Sequence, residues 1–166
     1  VYGLGCSIQH PEAIRRICQL KQLKPEKAKL SFICADLSHL SQFCQPLDTP
    51  TFRFVKQHVP GPFTFILPAN RHAPKLLRTR QDTVGIRVPY HPVCKALITE
   101  LGHPVISTSL PGQTEVAPSY PDWIAEHFEH LTDMILLCGA GGIQPSTVVD
   151  CTVFPPEILR AGAGNL

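Results

Sequence analysis

At 166 residues the chain is long enough to bury about two-thirds of its unfolded surface as one domain, and 43% apolar against 17% charged residues describe a folded chain rather than a disordered one. A formal net charge of +2 is too small to define a nucleic-acid binder by its total, so any anion site must come from local clustering. No stretch approaches the roughly 20 apolar residues of a membrane span.

Taken in order, Val1 to Gly5 reads as a strand end entering a glycine turn, and Pro11 starts a helix through about Leu23. Lys29 to Ala35 is a short apolar strand. Asp36 caps a brief helix to Phe43, and Asp48 or Thr49 with Pro50 starts another over TFRFVKQH. Pro60-Gly61-Pro62 forces a turn before the strand FTFIL, and a short helical piece near Lys75 to Arg78 leads to TVGIRV, whose alternation predicts a strand. HPVCKALITEL is an amphipathic helix followed by the strand PVIST. LPGQTEVAPS is a long polar loop, and Ser119 is placed to cap the helix PDWIAEHFEHL. MILLC, STVVD and EILRAG then read as strands, with a glycine-rich connector, CGAGGIQP, after the first. The alternation predicts an α/β fold: an open, twisted mixed sheet with helices packed on it.

The densest cluster of charge is Arg15 to Leu30, where Arg15, Arg16, Lys21, Lys24, Lys27 and Lys29 face one acid, Glu26. Pro25 disfavours helix in the residue before it, so the later lysines fall on a connector. Such a connector either curls ammonium groups around a polyanion or is a solubilising turn.

The glycine loop CGAGG follows a strand but leads into another strand, so it lacks the helix of a dinucleotide fingerprint, and GxxxxGK[ST] is absent. Gly141 to Thr147 could bring backbone amides and two hydroxyls to a phosphate, or Ser146 and Thr147 could simply open a β-branched strand. Arg87, among Val84, Ile86 and Val88, either faces solvent or points into a cleft to hold an oxyanion. Arg160 poses the same question.

The seven cysteines show no ligand-like spacing, and most lie in apolar runs, a pattern that suits a reducing, cytoplasmic compartment. His127 and His130 are not spaced as HExxH, and no metal site is expected. Cys34, Cys94 and Cys138 sit in apolar settings that raise a thiol pKa.

Taken together, VYGLGC, KPEKAKLSF, VPGPFTFIL, TVGIRVPYHP, HPVISTSLPG, PSTVVD and ILRAGAG resemble the YrdC/YciO-like family, threonylcarbamoyl-AMP synthases included, over nearly the whole chain. The resemblance implies a single YrdC-like domain over residues 1–166, with a positively charged cavity, and a nucleotidyltransferase that uses ATP, threonine and bicarbonate to make threonylcarbamoyl-adenylate for tRNA modification. Mg²⁺ would arrive on the nucleotide, and double-stranded RNA is a further implied partner. The family's PT(D/E)T segment precedes YGLG, so an N-terminal strand is expected before Val1, and Tyr2 stands for the threonine pocket.

By the same resemblance, Arg87 would be the catalytic residue and hold the carbamate or carboxylate. Lys21, Lys24, Ser109, Ser146, Thr147 and Arg160 would bind the nucleotide. The K-x-R-P motif becomes Gln22-Leu23-Lys24-Pro25, with Lys21 adjacent, and S-A-N becomes Ser109-Leu110-Pro111. Those departures look like the YciO branch. They imply an alternative: a nucleotide- or double-stranded-RNA-binding protein with weak or no synthase activity.

Overall fold

The computed structural model describes residues 1–24, 28–74, 82–110 and 120–166. Seven strands form one sheet: β1 (Gly3–Ser7), β2 (Ser31–Ile33), β3 (Phe63–Pro68), β4 (Thr83–Arg87), β5 (Val105–Ser109), β6 (Thr147–Asp150) and β7 (Glu157–Arg160). Their order is β1-β5-β2-β4-β3-β6-β7. β2 runs parallel to β4 and β3 to β6, while every other pairing is antiparallel. The helices are α1 (Pro11–Leu20), α2 (Leu40–Phe43), α3 (Thr49–Gln57), α4 (Pro92–Leu101) and α5 (Pro121–Phe128). This is the mixed α/β architecture expected from the alternation of elements.

Period-two alternation gives the sheet two unlike faces, because residues paired across strands project to the same side. One face carries Leu4, Phe32, Phe65, Leu67, Val84, Ile86, Ile106 and Val149. These pack in one core with Ile14, Ile17 and Cys18 of α1, Phe43 of α2, Val55 of α3 and Ile124 and Phe128 of α5. Phe32 stacks on Phe43 with ring centroids 4.5 Å apart, and truncating a buried aromatic such as Phe65 would cost about 3–5 kcal/mol.

The other face is small and polar. Gly3, Gly5 and Ser7 pair with Ser109, Ser107 and Val105. Ser107 pairs with Ser31, Ser31 with Gly85 and Ile33 with Arg87, Gly85 with Ile66, and Val148 with both Thr64 and Arg160. Ile33 and Ile98 are buried outside the main core.

Several boundaries differ from the sequence expectation. α1 ends at Leu20 rather than Leu23, because Gln22 turns to φ +52, and the Leu23 amide closes the turn on the Cys18 carbonyl at 2.9 Å. The α4 end at Gly102 is built the same way, with φ +67, where glycine carries no Cβ penalty. β2 is only three residues long, α5 stops at Phe128, and β7 ends at Arg160. Asp36 caps a 3₁₀ turn, Leu37–His39, that leads into α2, and Asp48 caps α3, accepting from the amides of Ser38 and Thr51 at 2.7 and 2.8 Å.

MILLC is not a strand. Arg16 grips Asp133 and the Leu131 carbonyl, and Tyr2 holds Gly139 and Cys138. The ends of this segment are thus tied while a cleft of about 470 Å³ opens between β1 and Asp133. Met134, Leu136 and Leu137 stay exposed, and Cys138 is exposed rather than apolar-buried. The expected helix near Lys75 to Arg78, the Ser119 cap and most of the 110–119 loop lie outside the described residues. No helix among the described residues is long and apolar enough to cross a membrane.

Candidate anion-binding site

Arg87 ends β4 on the small, polar face, and it is half-buried. Its Nε is buried with no hydrogen-bond partner. Among the described residues no carboxylate pairs with it. Its pKa lies below the ordinary arginine value mainly because of burial; the Cys94 thiol pulls the other way and the nearby Arg160 adds to the depression. A buried cation left without a counter-ion is costly unless an anion joins it.

Arg160, on β7, donates from Nη2 to the Ser146 carbonyl at 2.8 Å, with Ser146 Oγ at 3.4 Å. Ser146 Oγ shares a buried 2.8 Å hydrogen bond with Thr64 Oγ1 on β3. Three side chains, from β3, β7 and the residue before β6, are therefore hydrogen-bonded together, and Arg87 of β4 lies on the same face of the sheet. Thr64 was not singled out by sequence reasoning. The alternation of FTFIL, which sets Thr64 opposite in phase to Phe63 and Phe65, was the available signal.

Thr147 belongs elsewhere. It lies on the core face, 1% exposed. Its hydroxyl donates to the Gly164 carbonyl at 2.7 Å and accepts the Gly162 and Gly164 amides, each at 3.0 Å. It ties down the C-terminal turn, and a hydroxyl with three protein partners has no capacity left for a nucleotide.

Lys21, just past α1, donates from Nζ to the Ser109 carbonyl at 2.7 Å, with Ser109 Oγ at 3.4 Å. Burial lowers its pKa. Ser109 lies on the same face as Arg87 but four residues farther along β5 than Val105, which is level with Arg87 through Ile33. At about 3.3 Å per residue that is roughly 13 Å along the strands. Lys24 is exposed, and its carbonyl accepts from the Ala28 amide at 3.1 Å. Among the described residues no hydrogen bond or ion pair joins Lys24 to Arg87 or Arg160.

Tyr2 donates to the Gly139 carbonyl at 2.6 Å and accepts the Cys138 amide at 3.3 Å, with its ring against Gly141. Tyr2 thereby ties the start of β1 to the glycine-rich connector.

No group of three or more His, Cys, Asp or Glu side chains gathers for a metal among the described residues. The 470 Å³ cleft by Arg16 and Asp133, and one of about 280 Å³ by Asp48 and Phe154, include neither Arg87 nor Ser146. Arg87 lies outside both clefts, half-buried, with no partner for its Nε among the described residues.

The family model described as Telomere recombination, covering Sua5, YciO and YrdC, matches residues 1–162. The YciO protein of Escherichia coli strain K12 is 39% identical over 168 residues, covering 99% of this chain and 80% of that protein. Its crystal structure superposes with a TM-score of 0.89 at 38% identity, covering 99% of this chain and 80% of that one. The threonylcarbamoyl-AMP synthase of Halorhodospira halophila is 31% identical over 150 residues, 90% of this chain and 78% of the synthase. The Sua5 protein of P. abyssi, solved in complex with L-threonine, matches at 28% identity and a TM-score of 0.84, over 98% of this chain and 48% of its own. The chain belongs to the Sua5/YciO/YrdC family.

Proposed function

We propose that the protein is a YciO-type nucleotide-binding member of its family, taking ATP on the small, polar face of the sheet, with weak threonylcarbamoyl-AMP synthase activity. The observation that carries this reading is Arg87, a half-buried guanidinium whose buried Nε has no partner among the described residues, with a second cation nearby. Two cations without a carboxylate suit a polyanion. Arg160 and Ser146 would hold phosphate oxygens, and Lys21 with Ser109, roughly 13 Å along the strands, would meet the far end of an extended ligand. Mg²⁺ belongs to the nucleotide in this reading, as does its role in charge neutralisation.

The synthase chemistry needs no covalent enzyme intermediate. Threonine's amine and CO₂ form a carbamate, whose oxygen attacks the α-phosphorus while the bond to pyrophosphate breaks and pyrophosphate leaves. Placing the reactants and neutralising charge is then the whole task of the protein. Here Lys21 Nζ is drawn onto the Ser109 carbonyl, and Lys24, where the motif has arginine, is a point charge at the surface. Both features argue for a binder with low turnover. A full synthase is the second reading, supported by Arg87, Ser146 and Arg160 standing at the motif positions and by the match to a threonine-bound Sua5.

Titration calorimetry with ATP and Mg²⁺ tests the reading, run beside an assay of pyrophosphate release with threonine and bicarbonate. The expected result is saturable ATP binding, lost in Arg87→Ala, with slow pyrophosphate release. Binding of duplex RNA with no response to ATP would replace this proposal with an RNA-binding one, and fast three-substrate turnover would restore the synthase.

A further inference from the structure

Thr64 and Ser146 are 6% and 7% exposed, and their hydroxyl oxygens are 2.8 Å apart. Two hydroxyls bring two protons, and the bond between them uses one. Arg160 Nη2, 3.4 Å from Ser146 Oγ, is a donor that accepts nothing. One buried O–H proton of the pair therefore has no acceptor among the described residues, an arrangement that costs free energy until a ligand oxygen takes it. Thr64 sits in the middle of β3, with its methyl group toward Gly85: a Cβ there would lie 3.5 Å from Thr64 Cγ2. Ser146 precedes β6 and is the one nearer Arg160.

We propose that Thr64 is a positioning residue: it donates its proton to Ser146 Oγ, so that Ser146 presents its own proton, beside Arg160 and Arg87, to an anionic oxygen of the ligand. This rests on the ATP-binding reading above. Phosphate of the nucleotide and carboxylate or carbamate of an amino acid share the required chemistry, since each offers a charged acceptor to a hydroxyl. No bond is made or broken by Thr64. Its hydroxyl fixes the orientation of another, which is why a serine there would serve and an isosteric valine would not.

The experiment is calorimetric binding to the full chain of ATP with Mg²⁺ in one arm and threonine with bicarbonate in the other. Thr64→Val, Thr64→Ser, Ser146→Ala and Thr64→Val/Ser146→Ala are compared, each checked for folding by thermal melting. Thr64→Val is expected to weaken the responding ligand about tenfold, as for one lost charged hydrogen bond. Thr64→Ser restores affinity to within about threefold, and the double variant binds like Ser146→Ala alone, because Thr64 acts through Ser146. The arm that responds identifies the oxygen. Unaltered binding by Thr64→Val, or losses that add in the double variant, would overturn the positioning role while leaving the ATP site standing. If Thr64→Val does not fold, failure of Thr64→Ser to bind decides against the role. A native chain silent in both arms would instead remove the binding reading, and this inference with it.

Discussion

Arg160 stands close enough to Arg87 to lower its pKa, yet only Arg160 is tied down, through Nη2 to the Ser146 carbonyl at 2.8 Å. The two cations therefore differ in what they contribute to the fold. Arg160 holds β7 to the start of β6, whereas half-buried Arg87 has no partner for its buried Nε among the described residues.

The two arginines should separate in mutagenesis. Arg87→Ala removes an unpaired buried cation, so its melting temperature should match or exceed the parent's, while ATP binding and any turnover fall a hundredfold or more, as for a lost preorganised donor. Arg160→Ala should lose binding and also about 1 kcal/mol of stability with the Ser146 contact. Urea melts and calorimetry on both variants check this. A large loss of stability in Arg87→Ala would mean that the guanidinium is structural.

The fold was legible because its signals are local. Asp36 and Asp48 stand at helix starts with their capping geometry intact, and the alternation of TVGIRV set Val84 and Ile86 to the core with Arg87 on the other side. MILLC was misread because composition reports strand propensity, whereas a strand also needs a free edge at ladder distance. Arg16 and Tyr2 tie the two ends of this segment through side chains, and residues 134–138 join no ladder. In the site, the residue types of Arg87 and Ser146 were readable, but their meeting at Thr64 depends on the register of β3 against β4 and β6, which couples positions 82 residues apart. Thr147 was ambiguous for a related reason: a hydroxyl beside Ser146 looks like a ligand donor until the Gly162 to Gly164 turn is seen to occupy it.

Glycine packing on the polar face gives a second test. A Cβ at Gly85 would lie 2.7 Å from Ser31 Oγ, a side chain that can be cut back. Gly85→Ala should cost about 1–3 kcal/mol, and the Gly85→Ala/Ser31→Ala pair should recover most of it. At Gly162 the added carbon meets the main chain of Pro145 and Ser146, which no truncation relieves. Gly162→Ala should cost about 3 kcal/mol or more and disturb ATP binding by displacing Ser146. Chemical melts of the three variants measure both effects. Equal, unrescued losses at the two positions would contradict this packing.

Lys21 and Lys24 carry the same charge in different settings. Lys21 Nζ sits on the Ser109 carbonyl with burial depressing its pKa, and Lys24 is exposed. Lys21→Met keeps the apolar stem but removes the charge that the proposal sets at the far end of the ligand. ATP affinity at low salt should fall about tenfold and the salt slope should decrease by about one. Lys24→Met should change affinity by less than about threefold, the range of a screened surface charge. Binding isotherms at three ionic strengths read both quantities, and the reverse ranking would place the phosphates at the loop.

The buried thiols set the alkaline limit of stability. Burial pushes Cys34, Cys44 and Cys151 up to about 12 and Cys6 up to about 11, from an ordinary value of 9.0. Neighbouring thiols add to the rise at Cys6 and Cys34, as do Asp36 at Cys34 and Asp150 at Cys151. Each pKa is higher in the folded chain, so between pH 9 and 12 the native state holds more protons than the unfolded one. The stabilisation is complete below pH 9 and is lost as pH climbs through that window. Lys21, whose pKa is lowered, works in the opposite direction but is one partly exposed group against four thiols. Urea midpoints should be flat from pH 7 to 8.5 and fall steadily from pH 9 to 11. At pH 8 a thiol reagent should label Cys138 first, because it is exposed while Cys18, Cys34, Cys44 and Cys151 are buried, and all seven should react in denaturant. Rapid labelling of Cys34 in the native chain, or stability rising above pH 9, would show that these thiols are not sealed in the core.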